Sequence, residues 1–210
     1  MKKLLLAAFV LAALSPFSFA QWGVGVKLGA GQNNPKDLQD CFDYNCLGAS
    51  SMTLTTSSGI FAIEGLYEFV FNPEDERNKA GIKFGIDFYG ENKLEAYGGG
   101  SSVTIKETTY SIPITAYYKR DNGINKFAFY GGAGFTIMKS TLEFSGLISA
   151  EESETKIFPH IVAGTEYRFS KLFALGLDLK YNISAKIEKD GDVLSDRSGL
   201  SGALAARFYF

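Results

Sequence analysis

The chain has 210 residues, with 21 Lys and Arg against 23 Asp and Glu, one His and two Cys. This slightly acidic balance argues against nucleic acid as a partner, and the length suits a single domain. Aromatic side chains make up 14% of the residues and only five residues are Pro, which favours an all-β fold.

Residues 1–20 are predicted to be a cleaved secretory signal peptide. Two lysines precede an apolar run over residues 4–14, and the small side chain of Ala20 suits a cleavage site. The run is too short for a membrane-spanning helix, and no later stretch offers the roughly 18 uncharged apolar residues that such a helix needs. Residues 21–210 are therefore predicted to form one domain, and any membrane span in it must be built from strands.

Eight segments alternate apolar and polar side chains with a period of two, which is the period of a β-strand. The apolar faces carry no charged residue, whereas most of the opposite faces do. A barrel with lipid outside and a polar interior accommodates this pattern, and a buried soluble sandwich does not. In chain order the segments are Trp22 to Ala30, Phe61 to Phe71, Ala80 to Phe88, Tyr110 to Tyr118, Phe127 to Ile137, Ile157 to Phe169, Phe173 to Ile183 and Leu200 to Phe210. Eight transmembrane strands are therefore predicted.

The inward faces of these strands are predicted to hold an ionic network with acids and bases in equal number. The predicted members are Lys27, Glu64, Glu68, Lys83, Asp87, Glu166, Arg168, Asp178, Lys180 and Arg207. Equal numbers allow every charge to find a partner, and a buried charge without one is costly. Pro113 and Pro159 each remove a backbone donor from a predicted strand, so weak pairing or a bulge is expected at both.

Four motifs carry a resemblance to a known family. They are Ser111-Ile-Pro-Ile-Thr-Ala-Tyr-Tyr-Lys119, Tyr130-Gly-Gly-Ala-Gly134, Leu175-Gly-Leu-Asp-Leu-Lys-Tyr181 and Arg207-Phe-Tyr-Phe210. Together they resemble the porin-like outer-membrane β-barrel family of the OmpA/OmpX type. The resemblance implies an eight-stranded antiparallel up-and-down transmembrane β-barrel in the bacterial outer membrane, surrounded by lipid and lipopolysaccharide. It also implies that Phe210 is read by the outer-membrane assembly machinery.

The connections between the predicted strands alternate in length, and this predicts an orientation. The short connections are 72–79, 119–126 and 170–172, and the long ones are 32–60, 90–109, 138–156 and 184–199. In outer-membrane barrels the short turns face the periplasm and the long loops face outside. Both chain ends of the mature barrel are then predicted to lie in the periplasm.

Cys41 and Cys46 lie in the first long connection, and in an exported protein they are predicted to form a disulfide. A zinc site would need about four nitrogen or sulfur ligands, and His160 is the only further candidate. No metal or cofactor is therefore predicted. A disulfide suggests that the connection 32–60 keeps a shape outside the cell, which hints at an extracellular ligand.

His160 is predicted to point into the barrel. A lipid-modifying enzyme would need a serine and an orienting group beside it, and the segment Phe158 to Val162 supplies neither. No catalytic residue is predicted, and His160 is interpreted as a polar side chain that lines the lumen.

Four functions remain open at this point, of which a lipid-modifying outer-membrane enzyme is the least favoured. The favoured one is a small outer-membrane anchor whose long loops, above all 32–60, serve surface interaction or envelope integrity. The alternative is a narrow channel for small solutes or hydrophobic molecules, although eight strands leave an interior that side chains fill. A soluble ligand-binding barrel in the periplasm, resembling lipocalins, is disfavoured by the uncharged outer faces.

Overall fold

The computed structural model describes residues 20–70, 77–122, 126–146, 149–189 and 192–210. The predicted signal peptide, except for Ala20, and the predicted outward residue Phe71 lie outside these ranges. The strands are β1 (Ala20–Gly31), β2 (Ser51–Thr55), β3 (Gly59–Val70), β4 (Asn78–Tyr89), β5 (Asn92–Gly98), β6 (Ser101–Asp121), β7 (Phe127–Ser145), β8 (Ala150–Arg168), β9 (Phe173–Asn182), β10 (Lys186–Lys189), β11 (Asp192–Asp196) and β12 (Gly199–Tyr209). One helix, α1, spans Lys36–Tyr44.

Eight of these strands close into a ring in which each strand is antiparallel to both neighbours. The order around the ring is β1, β3, β4, β6, β7, β8, β9 and β12, and β12 pairs with β1 to close it. Each barrel strand therefore pairs with the next barrel strand along the chain. This confirms the predicted eight-stranded up-and-down barrel.

The side chains alternate between the two faces of the barrel as the period of two predicts. On β3, Phe61 and Ile63 are 43% and 52% exposed on the outside, whereas Glu64 and Glu68 are buried inside. Each of the other seven barrel strands keeps its predicted register in the same way. An apolar band therefore surrounds an interior lined by polar and charged groups.

Pro113 interrupts the pairing of β4 with β6, as predicted. Gly85 and Ile86 have no pairing partner on β6, although the register is the same on both sides of the gap. Pro159 lies where the pairing of β8 with β9 begins, because the first paired residue is His160. Each proline thus falls at a place where its missing N–H leaves a ladder incomplete.

Three of the barrel strands continue beyond the barrel at the end that carries the long connections. Residues 101–109 of β6, 138–145 of β7 and 150–156 of β8 were predicted as connection and are paired strand. β5 adds to the edge of β6, and β2 adds to β5. We call these parts of β6, β7 and β8, together with β2 and β5, the sheet extension.

Helix α1 lies over one face of the sheet extension. Leu38 of α1 is buried against Leu94, Ile105 and Leu142, which form an apolar core outside the barrel. The connection 32–60 is therefore largely ordered and contains a helix and a strand. Among the described residues, no helix has the length and apolar character to cross a membrane.

The last long connection folds over the mouth of the barrel at the same end. We call residues 184–199, which contain the paired strands β10 and β11, the cap hairpin. Its Ala185 and Ile187 are buried in a cluster with side chains of the barrel wall and the adjoining start of the sheet extension, namely Ile60, Tyr89, Met138 and Phe158. The cap hairpin thus covers this mouth with apolar contacts.

Candidate functional site

The interior at the short-turn end of the barrel is built around Lys119. Its ammonium group contacts Glu68 and lies 3.3 Å from Glu166 Oε1 and 3.2 Å from the Tyr209 hydroxyl. Arg168 donates from Nε to Glu166 at 3.1 Å and from Nη2 to Glu68 at 3.4 Å. Both carboxylates are buried, and each is bonded to two bases, so their burial is compensated.

Arg207 occupies the middle of the barrel and is 1% exposed. It donates from Nε to Glu64 at 2.7 Å and from Nη2 to Asp178 at 2.7 Å. Lys27 lies 3.3 Å from Glu64, and Lys83 lies 3.6 Å from Asp178. The planar guanidinium therefore joins a carboxylate of β3 to a carboxylate of β9, each of which has a lysine as a second partner.

A third pair and one cross-link complete the network. Lys180 donates to Asp87 at 2.5 Å, and Arg207 Nη1 lies 3.4 Å from Glu166 Oε2, which joins the middle of the barrel to the short-turn end. The structure places all of the predicted network residues inside the barrel, each within 3.6 Å of an opposite charge. The interior is thus bonded across the barrel from strand to strand.

The sequence pattern assigned Lys119 to the short connection 119–126, and the fold corrects this assignment. β6 runs on to Asp121, and Lys119 takes the inward position two residues after Tyr117. The alternation along β6 was a signal that could have placed it there. Lys119 therefore adds one base to the interior, beyond the equal numbers of acids and bases that were predicted from the sequence.

Tyrosines on the inner faces also belong to the network and were missed. Each donates to a carboxylate: Tyr117 to Glu68 (2.8 Å), Tyr130 to Asp178, and Tyr209 to Glu166 (2.5 Å). Their inward position followed from the period of two. A phenol carries no charge, so a search for charge balance did not select them.

His160 lies between two threonines of neighbouring strands and is 1% exposed. The Thr115 hydroxyl is 2.8 Å from Nε2, and the Thr136 hydroxyl is 2.9 Å from Nδ1. Both ring nitrogens are therefore occupied by hydroxyls from residues far away in sequence. The imidazole and both hydroxyls are buried inside the barrel.

Little open space remains among the charges of the middle barrel. A cavity of about 50 Å³ is lined by three bases and three acids, namely Lys27, Lys83, Lys180, Glu64, Asp87 and Asp178. A water molecule needs about 10–15 Å³ of accessible cavity volume, so there is room for only a few waters. A solute would have to separate ion pairs to pass.

The mouth under the cap hairpin holds a further buried base, Arg197. Its Nη2 is 3.9 Å from Glu107 and 3.5 Å from the Thr109 hydroxyl, and its guanidinium lies 4.9 Å from the centre of the Tyr89 ring. Burial lowers the pKa of Arg197, and the charge of Glu107 offsets this only in part. Asn92 donates to the same carboxylate at 2.6 Å, so polar contacts continue up to the cap.

The Cys41–Cys46 disulfide closes the end of α1 on the outside of the sheet extension. Asn45 takes a left-handed conformation, with φ of 48°, and ends the helix. This turn presents two aromatic side chains to solvent, Phe42 at 37% and Tyr44 at 83% exposure. Exposed aromatic groups on a covalently closed turn form a preorganised contact surface.

The rest of the sheet extension is polar on its outer face. Cross-strand rows pair Lys106 with Glu143 and Glu143 with Glu151, and pair Thr108 with Thr141. These polar rows make the outer face suited to contacts with polar partners. Within the described part of the chain, no group of three or more His, Cys, Asp or Glu side chains is placed to hold a metal ion.

Comparisons with known proteins give one family match. The model of the outer membrane protein beta-barrel domain matches residues 4–208. A comparison with curated protein sequences gives no significant match.

Several solved structures have a similar fold at low identity. Ail of Yersinia pestis, in complex with the heparin analogue sucrose octasulfate, is 13% identical, with 91% of this chain and 99% of that chain covered and a TM-score of 0.49. Neisserial surface protein A is 16% identical, with 91% and 95% covered and a TM-score of 0.42. OprG from Pseudomonas aeruginosa is 10% identical, with 91% and 96% covered and a TM-score of 0.48. None of these likenesses carries an argument about function.

Proposed function

This chain belongs to the outer membrane protein β-barrel family and is a protein of the bacterial outer membrane, and from that premise we propose that it is an anchor that presents a folded binding surface outside the cell. The surface consists of α1, its disulfide-closed turn and the sheet extension. Its partner is a molecule of the surroundings or of the envelope that contacts this surface. Membership of this family also excludes the soluble ligand-binding barrel in the periplasm.

One observation carries the proposal: the chain builds an apolar core outside the barrel. Leu38 and Leu94 are 2% and 0% exposed in that core, which lies beyond the apolar band. A barrel that served only to fill the membrane would need no such layer, since short loops connect strands at less cost in conformational entropy. An ordered layer supports the role of a rigid interaction surface.

Orientation supports the same proposal. Short turns of outer-membrane barrels face the periplasm, so the sheet extension and the connection 32–60 face outside. The apolar band then contacts outer-membrane lipid and lipopolysaccharide. Phe210, which is 70% exposed directly after β12, remains our proposal for the signal that the assembly machinery reads.

A channel is the weaker proposal because of what fills the barrel. The interior carries the ion pairs described above, and the cap hairpin covers one mouth. We also propose that the network has a structural role, locking the eight strands together, and we assign no catalytic role to His160. The buried position of His160 weighs against the lipid-modifying alternative.

The test uses intact cells that express the full chain. An epitope inserted after Gly48, where nothing lies within 4 Å of an added Cβ, should be stained without permeabilisation. On arrays of glycans and extracellular-matrix proteins, wild-type cells should bind at least one component, and cells with Phe42→Ser and Tyr44→Ser should lose that binding. Unstained intact cells, or equal binding by both strains, would refute the proposal. A Thr141→Ser strain is the matched control for the substitution itself.

A further inference from the structure

The short-turn end of the barrel opens to solvent and has no part in the proposed anchor role. Described residues at the short-turn end of the barrel line a cavity of about 700 Å³ that is open to solvent. We call it the turn-side vestibule. Its charged lining consists of Arg77, Lys79, Lys126, Arg168, Lys171 and Asp121. The volume lies within the range of about 300–1,000 Å³ that is usual for small-molecule sites.

Among the described residues that line the turn-side vestibule, bases outnumber acids. Lys79 lies 3.3 Å from Asp121, the one acid among the described lining residues, and Arg168 is bonded to the buried carboxylates of the interior. Lys126 and Lys171 are exposed and, among the described residues, have no carboxylate partner. Two ammonium groups without a carboxylate partner among the described residues therefore line one concave space.

Lys126 has a backbone conformation that a side chain rarely adopts, with φ of 56°. Glycine or asparagine would occupy that conformation at lower cost. A lysine there provides a charge at some expense in stability. Backbone strain of this kind is often found at ligand-binding sites, so its presence at this mouth of the barrel is a reason to test for a ligand.

We propose that the turn-side vestibule binds anions that carry a phosphate group. Lysine ammonium groups are strong point-charge donors to phosphate, and a concave wall concentrates their field. Two sources supply this chemistry at the periplasmic end: a soluble phosphate anion and the headgroup of an anionic phospholipid in the adjacent leaflet. Glu74, Asp75 and Glu76 precede Arg77 in the sequence and lie outside the described residues, so the proposal depends on Lys126 and Lys171.

The test measures pyrophosphate binding by calorimetry to the full chain in dodecyl maltoside micelles, which contain no phosphate. Lys126→Gln with Lys171→Gln should weaken binding at least about fivefold, since each lost charge contact is worth up to about 1 kcal/mol. The matched control, Lys106→Gln with Lys139→Gln, removes two charges from the other end and should change the affinity less than about twofold. Absence of saturable binding, or an equal loss in the control, would overturn the proposal.

A second arm identifies the source of the phosphate. Micelles receive either phosphatidylglycerol or phosphate-free diacylglycerol before the titration. Competition by phosphatidylglycerol alone assigns the vestibule to a lipid headgroup, and unchanged affinity assigns it to a soluble anion. Lys126→Gly adds a structural check, because it should relax the backbone, raise the unfolding midpoint and still weaken pyrophosphate binding.

Discussion

Arg207 shows how a single residue organises the interior. Three of its nitrogens contact carboxylates that belong to three different strands, β3, β8 and β9. Gly176 makes room for it, because a Cβ there would lie 2.7 Å from Arg207 Nη1. The fork of donors reaches groups that one ammonium could not reach together. Substitutions at this position should therefore affect the whole barrel.

Arg207→Leu should destabilise the barrel by roughly 3–5 kcal/mol, because Glu64 and Asp178 lose their strongest partner while they remain buried. Arg207→Lys keeps the charge and should cost less, about 1–2 kcal/mol. The measurement is urea unfolding in lipid, followed by the fluorescence of Trp22, the single tryptophan. Glu95→Gln breaks an exposed pair with Lys93 and is the control. Equal midpoints for all three variants would contradict the role given to Arg207.

Leu177→Arg tests the lipid-facing surface of the barrel. Leu177 is 44% exposed and lies opposite Leu204 on β12, well inside the apolar band. A charge near the middle of a bilayer costs about 2–4 kcal/mol, so the unfolding midpoint should fall accordingly. Thr141→Arg places the same charge outward on the sheet extension and should be tolerated. Equal stability of the two variants would mean that the lipid boundary is misplaced.

At the scale of elements, the barrel strands were predictable and the sheet extension was not. Outward residues such as Ile63 and Leu177 face lipid, so their strands alternate strongly. In the extension both sheet faces meet water over much of their area, and the alternation falls to a few positions such as Ile105 and Leu142. Without a long apolar face, strand and loop look alike in sequence.

Helix α1 and the network partners were missed for different reasons. Leu38 is the one buried residue of the nine-residue helix, so no apolar stripe was available to indicate it. Membership of Lys119 in the network depends on where β6 ends, and strand ends are the least certain part of a sequence prediction. Contacts such as His160 with Thr136 depend on the register between strands, which the sequence of one strand does not contain.

Removal of the disulfide should loosen α1 and leave the barrel intact. Cys41→Ser with Cys46→Ser should destabilise the turn by about 2 kcal/mol, since the closed loop is short. Hydrogen exchange should become faster in Lys36–Tyr44 and β5 and stay unchanged in β9. Leu38→Ala, which leaves a cavity under the same helix, should act in the same direction. Faster exchange in the barrel strands would show that the two layers are coupled.

At the scale of the whole molecule, the barrel is filled by its own side chains and closed by two kinds of contact. Charged groups such as Glu64 and Arg207 occupy the middle, and apolar groups such as Ile187 close the far mouth. This division fits the proposed anchor, because the parts that hold the barrel together are separate from α1 and the sheet extension, the surface proposed to contact a partner.

Single-channel recording in planar bilayers should therefore give no reproducible open level for the wild-type chain. Replacement of residues 186–196 by a short glycine-serine linker uncovers the mouth and should also give none, because the ion pairs below remain. Arg207→Leu should be recorded alongside these two proteins, because it removes the ion pairs at the centre of the barrel. A stable open level in the wild type would overturn the anchor proposal in favour of a channel.

The reach of Arg207 has a consequence for how the chain enters the membrane. Its partner Glu64 is 143 positions away in sequence, and the last strand must arrive beside the first before that bond can form. Until then, several carboxylates and ammonium groups of the early strands lack partners in a low-dielectric setting, and partly inserted forms are unfavourable. Insertion and closure are therefore coupled, and the few residues at the carboxyl end decide whether the earlier strands can stay in the bilayer.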